Sequence, residues 1–329
     1  MEAVFRIPPF KGGTALAIYT IKRLLAAVPV VIGVIAVVFI LTSIVPGDPA
    51  RLIAGKTADP ETIQRIREEL GLNRPLWEQF TDFFKGVLTF DLGRSYRNNR
   101  PVTQVIMERL PLTAKLAVSS TALAVVTGVS LGVVSAVKKD SMLDHGGRVL
   151  ALLGISAPSF WIGLMVVLLF CVKLRWIPGT GTGDGGWLYL VLPVITLGMR
   201  PAAFITRLTR SGMLEVLEQD YIQTAWAKGL PGRAVVLGHA LKNAMIPVAT
   251  VAGTCMAEMM GGAIVVEQFF SLPGVGRLGL EAILARDFPV IRGQVLLLAL
   301  VFVAVNLLVD LTYPLFDPRI KYGGKRRHE

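Results

Sequence analysis

Ala50-Arg51-Leu52-Ile53-Ala54-Gly55-Lys56-Thr57 has the outline of a phosphate-binding loop, with alanine in place of the first glycine. Such a loop needs successive backbone N–H groups turned into a nest, between a strand and a helix that begins at the lysine. Here Leu52 and Ile53 fill the turn, no strand pattern precedes it, and the next helix start falls at Asp59, so the segment does not read as a nucleotide site. His145, His239 and His328 are scattered and make no ligand pair. Cys171 and Cys255 lie in apolar runs without CxxC spacing and read as small buried hydrophobes. No HExxH motif, Ser/His pair or metal cluster is present. Energy from ATP would have to come from another chain.

The residues that remain are ionisable groups inside apolar runs, where a charge is a functional hypothesis by default. Lys115 is expected about three residues, or ~5 Å, into its run and able to snorkel to the interface. Arg200, before Pro201, is expected toward one half of its run, facing a cavity. Glu258 is expected near the centre of its run, where a charge costs about 2.5–3.5 kcal/mol. It reads equally as a packing glutamate beside Gly261 and Gly262 or as a cavity-lining group that meets substrate. Asn306 and Asp310 read as structural.

The runs themselves define the fold class. The chain is 53% hydrophobic and only 17% charged, against about 25% charge in soluble domains, and its mean hydropathy is +0.59. The apolar residues cluster into stretches of membrane-spanning length. Six spans are expected, near Leu24–Val45, Leu112–Val137, Val149–Val172, Leu188–Leu208, Ile246–Val266 and Ile291–Leu311: an all-α polytopic membrane protein. The first is too long for a signal-peptide core and reads as an uncleaved span. Basic residues number 17 in the N-terminus, the 138–148 and 207–243 loops and the 313–329 tail, against 5 in the 173–187 and 267–292 loops. The positive-inside rule then puts both termini and the 207–243 loop in the cytoplasm. The net charge of +11 sits at the ends of spans and on one side, which argues against a nucleic-acid partner.

Residues 46–110 carry ten Lys/Arg and nine Asp/Glu and read as a small helical extracytoplasmic cap between spans 1 and 2. Asp59-Pro60-Glu61 is a helix start, with Ile63, Ile66 and Leu70 on one face and Gly71 as the stop. A second helix is expected after Pro75, packing Trp77, Phe80, Phe83 and Phe84. Pro29, Pro158, Pro193, Pro201 and Pro247 fall in or beside spans, where membrane helices tolerate them as kinks.

Between the fourth and fifth spans, Leu214, Leu217, Tyr221, Ala225 and Trp226 recur at helical spacing. Gly229-Leu230-Pro231-Gly232 is a turn, and a second helical pattern runs over Val235–Met245. The pattern fits a solvated interfacial hairpin and a docking element equally.

An ordered series of segments resembles one family nearly end to end: Gly47-Asp48-Pro49; Leu70-Gly71-Leu72-Asn73-Arg74-Pro75-Leu76; Asp91-Leu92-Gly93-Arg94-Ser95; Ser156-Ala157-Pro158-Ser159-Phe160-Trp161; Thr209-Arg210-Ser211-Gly212-Met213-Leu214; Asp220-Tyr221-Ile222-Gln223-Thr224-Ala225; Pro273-Gly274-Val275-Gly276-Arg277; Arg286-Asp287-Phe288-Pro289; and Asn306–Asp310 with Asp317-Pro318-Arg319. The resemblance is to the permease subunits of bacterial ABC importers, in the dipeptide/oligopeptide/nickel branch and of its first-permease type. It implies the type I importer permease fold, with a core of residues 111–312 after the first span (1–45) and the cap (46–110). In that family the loop after the fourth span is the EAA loop. Gln223-Thr224-Ala225 stands in for its triplet, Gly229 for its glycine and Pro247 for its proline, with a longer glycine-to-proline spacing and with Ala244 and Ile246 replacing Ile and Leu.

The resemblance further implies a non-catalytic subunit in the bacterial inner membrane that binds no cofactor of its own. Partners are a second homologous permease, two cytoplasmic ATPases carrying ATP and Mg, and an extracytoplasmic binding protein. The coupling loop, 207–245, would meet an ATPase through Asp220, Tyr221, Gln223, Thr224, Ala225, Lys228 and Gly229, with Val235–Pro247 as the strut to the fifth span. Glu258 and Arg200 would line the path of a dipeptide, oligopeptide, glutathione, metal chelate or opine. An ion-coupled secondary transporter is the competing class. It expects ionisable groups paired in broken helices and a repeat, for which Glu258 alone is thin support.

Overall fold

The structure, a computed structural model, describes residues 13–44, 48–55, 58–177, 181, 186–261 and 263–316. Arg6, Lys11, Gly47, Lys56, Thr57, Gly262, Asp317-Pro318-Arg319 and the basic residues after them lie outside the described residues. The regular elements are helices: α1 (Gly13–Ile44), α2 (Pro49–Ala54), α3 (Pro60–Glu69), α4 (Leu76–Leu88), α5 (Val102–Val137), α6 (Met142–Ser156), α7 (Ser159–Val167), α8 (Leu188–Leu217), α9 (Asp220–Ala227), α10 (Leu241–Met260), α11 (Ile264–Phe269), α12 (Val275–Ala285) and α13 (Phe288–Phe316). π-helical turns at Leu168–Lys173 and Ala234–Ala240 extend α7 and lead into α10.

Among the described residues, Arg23–Ile44, Val102–Val137, Leu188–Leu217, Ala234–Met260 and Phe288–Val309 are each long and apolar enough to cross a membrane. The expected third span, Val149–Val172, is not one straight helix. Met142–Ser156 and Ser159–Lys173 meet at 111°, and make a sixth span only if taken as one bent unit. The cause is Pro158, which has no N–H to give and holds Ala157 in an extended conformation (φ −72°, ψ 132°). By contrast Pro29, Pro111, Pro193, Pro201 and Pro247 sit inside continuous helices.

Other boundaries also move. The second span begins ten residues before its expected start, at Val102, and the fourth runs on to Leu217. The fifth ends at Met260 with Gly261 as its cap, so that Ile264–Phe269 is a separate helix.

The centre of the bundle is the parallel pair α5–α8, in which Gly198 faces Ser120 and Gly132 faces Thr209. A Cβ on Gly128 would lie 2.7 Å from the Ala202 carbonyl oxygen, and one on Gly132 would lie 2.6 Å from Thr209 Cβ. Small residues permit this approach, which is how helices associate where lipid removes the hydrophobic drive. At one end of the pair Leu116, Ile162, Val166, Leu192, Val266, Phe270 and Leu272 form a core. There Glu267, fully buried, accepts from Thr113 Oγ1 (2.7 Å) and from the Arg277 N–H (2.9 Å). Asp287, also buried, accepts from Ser95 Oγ and from the Tyr96 N–H (3.0 Å). Two of the ordered sequence segments, around Ser95 and around Asp287, thus meet each other.

The cap follows its sequence signals closely. The Asp59 carboxylate accepts from the Thr62 N–H as N-cap of α3, and hydrogen bonding at Thr62 holds its pKa below the ordinary value. Gly71 takes φ +64° to close α3, while Ile63 and Ile66 are half-buried and Leu70 is exposed. Phe80 and Phe83 of α4 pack on Phe39 of α1 at centroid distances of 5.4 and 6.1 Å. Arg292 of α13 lies over Phe39 and Phe83 and donates to Thr42 Oγ1 (2.6 Å). Trp77, expected to pack with them, is 67% exposed in the first turn of α4.

Gly132→Ala should cost about 1–3 kcal/mol by overpacking the α5–α8 seam. Gly146→Ala, where an added Cβ meets nothing within 4 Å, should be neutral or gain up to about 1 kcal/mol of helix propensity. Thermal unfolding in detergent of the two variants side by side checks the contrast.

Candidate functional site

The sequence Met213–Trp226 does not form one amphipathic helix. α8 stops at Leu217, and α9 starts afresh at Asp220 after Gln219 turns extended (φ −73°, ψ 146°). The break lets α9 fold back on the bundle. Ile222 and Ala225 point inward and pack with Ala136 of α5, Met213 of α8, and Val235, Ala240 and Ala244 leading into and along α10. Full burial of one such side chain as Ile222 contributes about 1.5–3 kcal/mol. The small helix is therefore seated on the ends of three spans at once.

Its other face is open. Asp220, Tyr221, Gln223, Thr224, Trp226 and Lys228 are exposed, and so is Gly229. Tyr221 is steadied by Asn243, whose Nδ2 donates to its hydroxyl oxygen at 2.6 Å. The helix closes with a paired cap: the Gly229 N–H donates to the Trp226 carbonyl (2.9 Å) and the Leu230 N–H to that of Ala225 (3.4 Å). This cap requires a left-handed residue, and Gly229 sits at φ +75°. Of the seven residues expected to meet a partner, six are thus presented outward, while Ala225 is buried and serves the seat. The expected strut Val235–Pro247 is continuous with the fifth span, the chain running helical from Ala234 through Pro247 to Met260.

Beside this element stands a charged pair that the sequence reading passed over. Asp144 of α6 is fully buried and receives Arg210 of α8 through Nε (2.6 Å) and Nη2 (2.7 Å). Arg210 lies in one of the ordered segments and Asp144 three residues after the cap residue Ser141. The available signal was an acid in the short 138–148 loop and a base one turn before Met213. Removing either partner strands a buried charge, at about 3–5 kcal/mol.

The two expected path residues are not where single-span arithmetic put them. Glu258 lies two residues before the end of α10, not at its centre, because the helix starts at the π-turn and stops at Gly261. Arg200 lies in the middle of α8. Both are exposed on this chain. Lys115, expected near the start of its span, is thirteen residues into α5 and is exposed as well. Cys171 and Cys255, expected buried, are half-buried. Ala50–Ala54 of the loop that resembled a phosphate site form a helical turn, not a nest.

The described residues form a bundle of apolar helices of membrane-spanning length, with a small helix seated at one end and its polar face exposed. Residues 128–322 match the family described as binding-protein-dependent transport system inner membrane component. Residues 16–117 match the N-terminal part described for such membrane components. The chain belongs to this family and is the permease subunit of an ABC importer. It is similar to a protein of Brucella abortus described as a peptide transport system permease, 46% identical over 92% of this chain and 98% of that one. It is also similar to the glutathione transport system permease protein GsiC of Pectobacterium atrosepticum, 44% identical over 92% and 99%. A third relative is the dipeptide transport system permease protein DppB of Alkalihalophilus pseudofirmus, 43% identical over 92% and 99%.

Ile222→Ala should loosen α9 from its seat at a cost of about 2–5 kcal/mol. Limited proteolysis should then cut the Gly229–Gly232 turn faster than in the wild type, with the rest of the bundle intact.

Proposed function

We propose that α9 is the coupling helix of this permease, held by Ile222 and Ala225 and gripped by a cytoplasmic ATPase through Asp220, Tyr221, Gln223, Thr224, Lys228 and Gly229. The observation that carries the reading is the division of an eight-residue helix into a buried apolar seat and an open polar face, on a chain with no nucleotide motif of its own. ATP and Mg are bound by two ATPase subunits, and this chain contributes no catalysis. A second, homologous permease completes the path, and an extracytoplasmic binding protein delivers the solute to the end that carries α11, α12 and the cap. The chain sits in the bacterial inner membrane with both termini and α9 in the cytoplasm.

The solute is a small peptide or a close relative such as glutathione, as the names of the similar permeases support. Arg200 and Glu258, both exposed on this chain, line the path. The family match over residues 128–322 favours the ATP-driven reading over an ion-coupled transporter.

Gly229→Val tests the coupling reading. A Cβ there meets nothing within 4 Å, so the cost is conformational: about 1–2 kcal/mol or more to hold a β-branched residue at positive φ. Reconstituted with its partner subunits, the variant should assemble with wild-type thermal stability to within a few degrees and hydrolyse ATP. Uptake of a labelled dipeptide or of glutathione, whichever the wild type transports, should fall to background. Wild-type uptake by the variant would contradict the assignment.

A further inference from the structure

The Asp144–Arg210 pair joins two elements that the coupling reading does not itself connect. Arg210 is on α8, one turn before Met213, whose fully buried side chain forms part of the floor beneath Ile222 and Ala225. Asp144 is in the first turn of α6, the first half of the bent unit that turns through 111° at Pro158. Its carboxylate is saturated. Arg210 supplies two donors, the Asp140 N–H donates to Oδ2 at 3.1 Å, and Arg148 lies 3.6 Å from Oδ2. The short connection before it is held too: Asp140 takes φ +59°, Ser141 caps α6, and an added Cβ on Gly147 would meet Ser135 Oγ of α5 at 2.5 Å.

A two-pronged guanidinium–carboxylate fork fixes orientation as well as distance. Buried charge is not the cheapest way to hold two helices together, since an apolar pair of similar volume does as well or better for stability. What the fork adds is a defined geometry between the seat of α9 and the start of α6. The remainder of α6 and the beginning of α7 hold one face against the bundle through Ala151, Gly154 and Ile162 and leave Leu150, Leu153, Phe160 and Trp161 exposed. Together with α5 and α8 they line an open apolar cavity of about 850 Å³, bordered among others by Leu150, Gly154, Pro158, Trp161 and Met199. A bent unit beside an open cavity can change its angle, and the fork is its attachment to the coupling end.

We propose that Asp144 and Arg210 are positioning residues for coupling: they make α6 move with α9 when the ATPase closes, so that movement at the coupling helix reaches the bend at Pro158. The proposal rests on the assignment of α9 as the coupling helix, and the experiment separates the two.

The assembled transporter is prepared with Cys171 and Cys255 changed to alanine and with spin labels on cysteines introduced at exposed positions. One label pair is Ala227 with Val149 on α6, and the other is Ala227 with Leu284 on α12 at the opposite end. Distances are measured with and without a non-hydrolysable ATP analogue. In the wild type the Ala227–Leu284 distance should change with nucleotide while Ala227–Val149 stays fixed. The double variant Asp144→Asn, Arg210→Gln removes both buried charges without stranding either. It should assemble with wild-type thermal stability, yet its Ala227–Val149 distance should now change when nucleotide is added. An unchanged distance in the variant overturns the proposal, and a variant that cannot assemble overturns it too, by making the pair structural. A wild type in which nucleotide leaves Ala227–Leu284 unaltered contradicts the coupling reading itself, and this proposal falls with it.

Discussion

Helices α5 and α8 lie so close that no side chain larger than hydrogen fits at Gly128 or Gly132, and most of the remaining structure hangs on that contact. In a bilayer, burying apolar surface between helices gains little over contact with lipid, so close packing has to supply the association. The pair is long, 36 residues in α5 and 30 in α8, and it extends past the apolar zone at both ends. Each end becomes a platform. One carries Ala136 and Met213 beneath α9, and the other carries Thr113 and Leu192 beside α11 and α12.

Both platforms are finished by buried carboxylates whose bonds are all made within the protein. Asp144 is met by Arg210 and a backbone N–H, Glu267 by a hydroxyl and a backbone N–H, and Asp287 by Ser95 and a backbone N–H. A buried carboxylate left without partners is costly, so each defines where its neighbours must be. Between the two platforms lie the Pro158 bend and the apolar cavity beside it.

The sequence conveyed the helical class, the cap and the loop turn well, because each rests on a local rule. Asp59-Pro60 and Gly71 start and stop α3 as capping chemistry requires, and Gly229 closes α9 because a left-handed residue is needed there. Boundaries set by tertiary packing were not legible. The expected start of the second span missed Val102–Pro111, since Pro111 is accommodated inside α5. The bend at Pro158 could not be told from the tolerated prolines at 29, 193, 201 and 247. Reading α10 from Ile246 misplaced Glu258, because the apolar count ignored the polar turns from Ala234 that belong to the same helix. At α9, six of the seven residues singled out in the sequence lie on its exposed face and Ala225 does not. The inward role of Ala225 follows from where α9 restarts, and that is decided by the break at Gln219.

The central claim is that the open face of α9 is where a cytoplasmic ATPase engages this permease. A photo-crosslinking residue placed at Thr224, exposed on α9, in the intact transporter in its native membrane tests it directly, with a second at Leu284, 77% exposed on α12, as reference. The account predicts a covalent product between Thr224 and the ATPase subunit, and none between Leu284 and that subunit. No ATPase product at Thr224, or an equal one from Leu284, would contradict it.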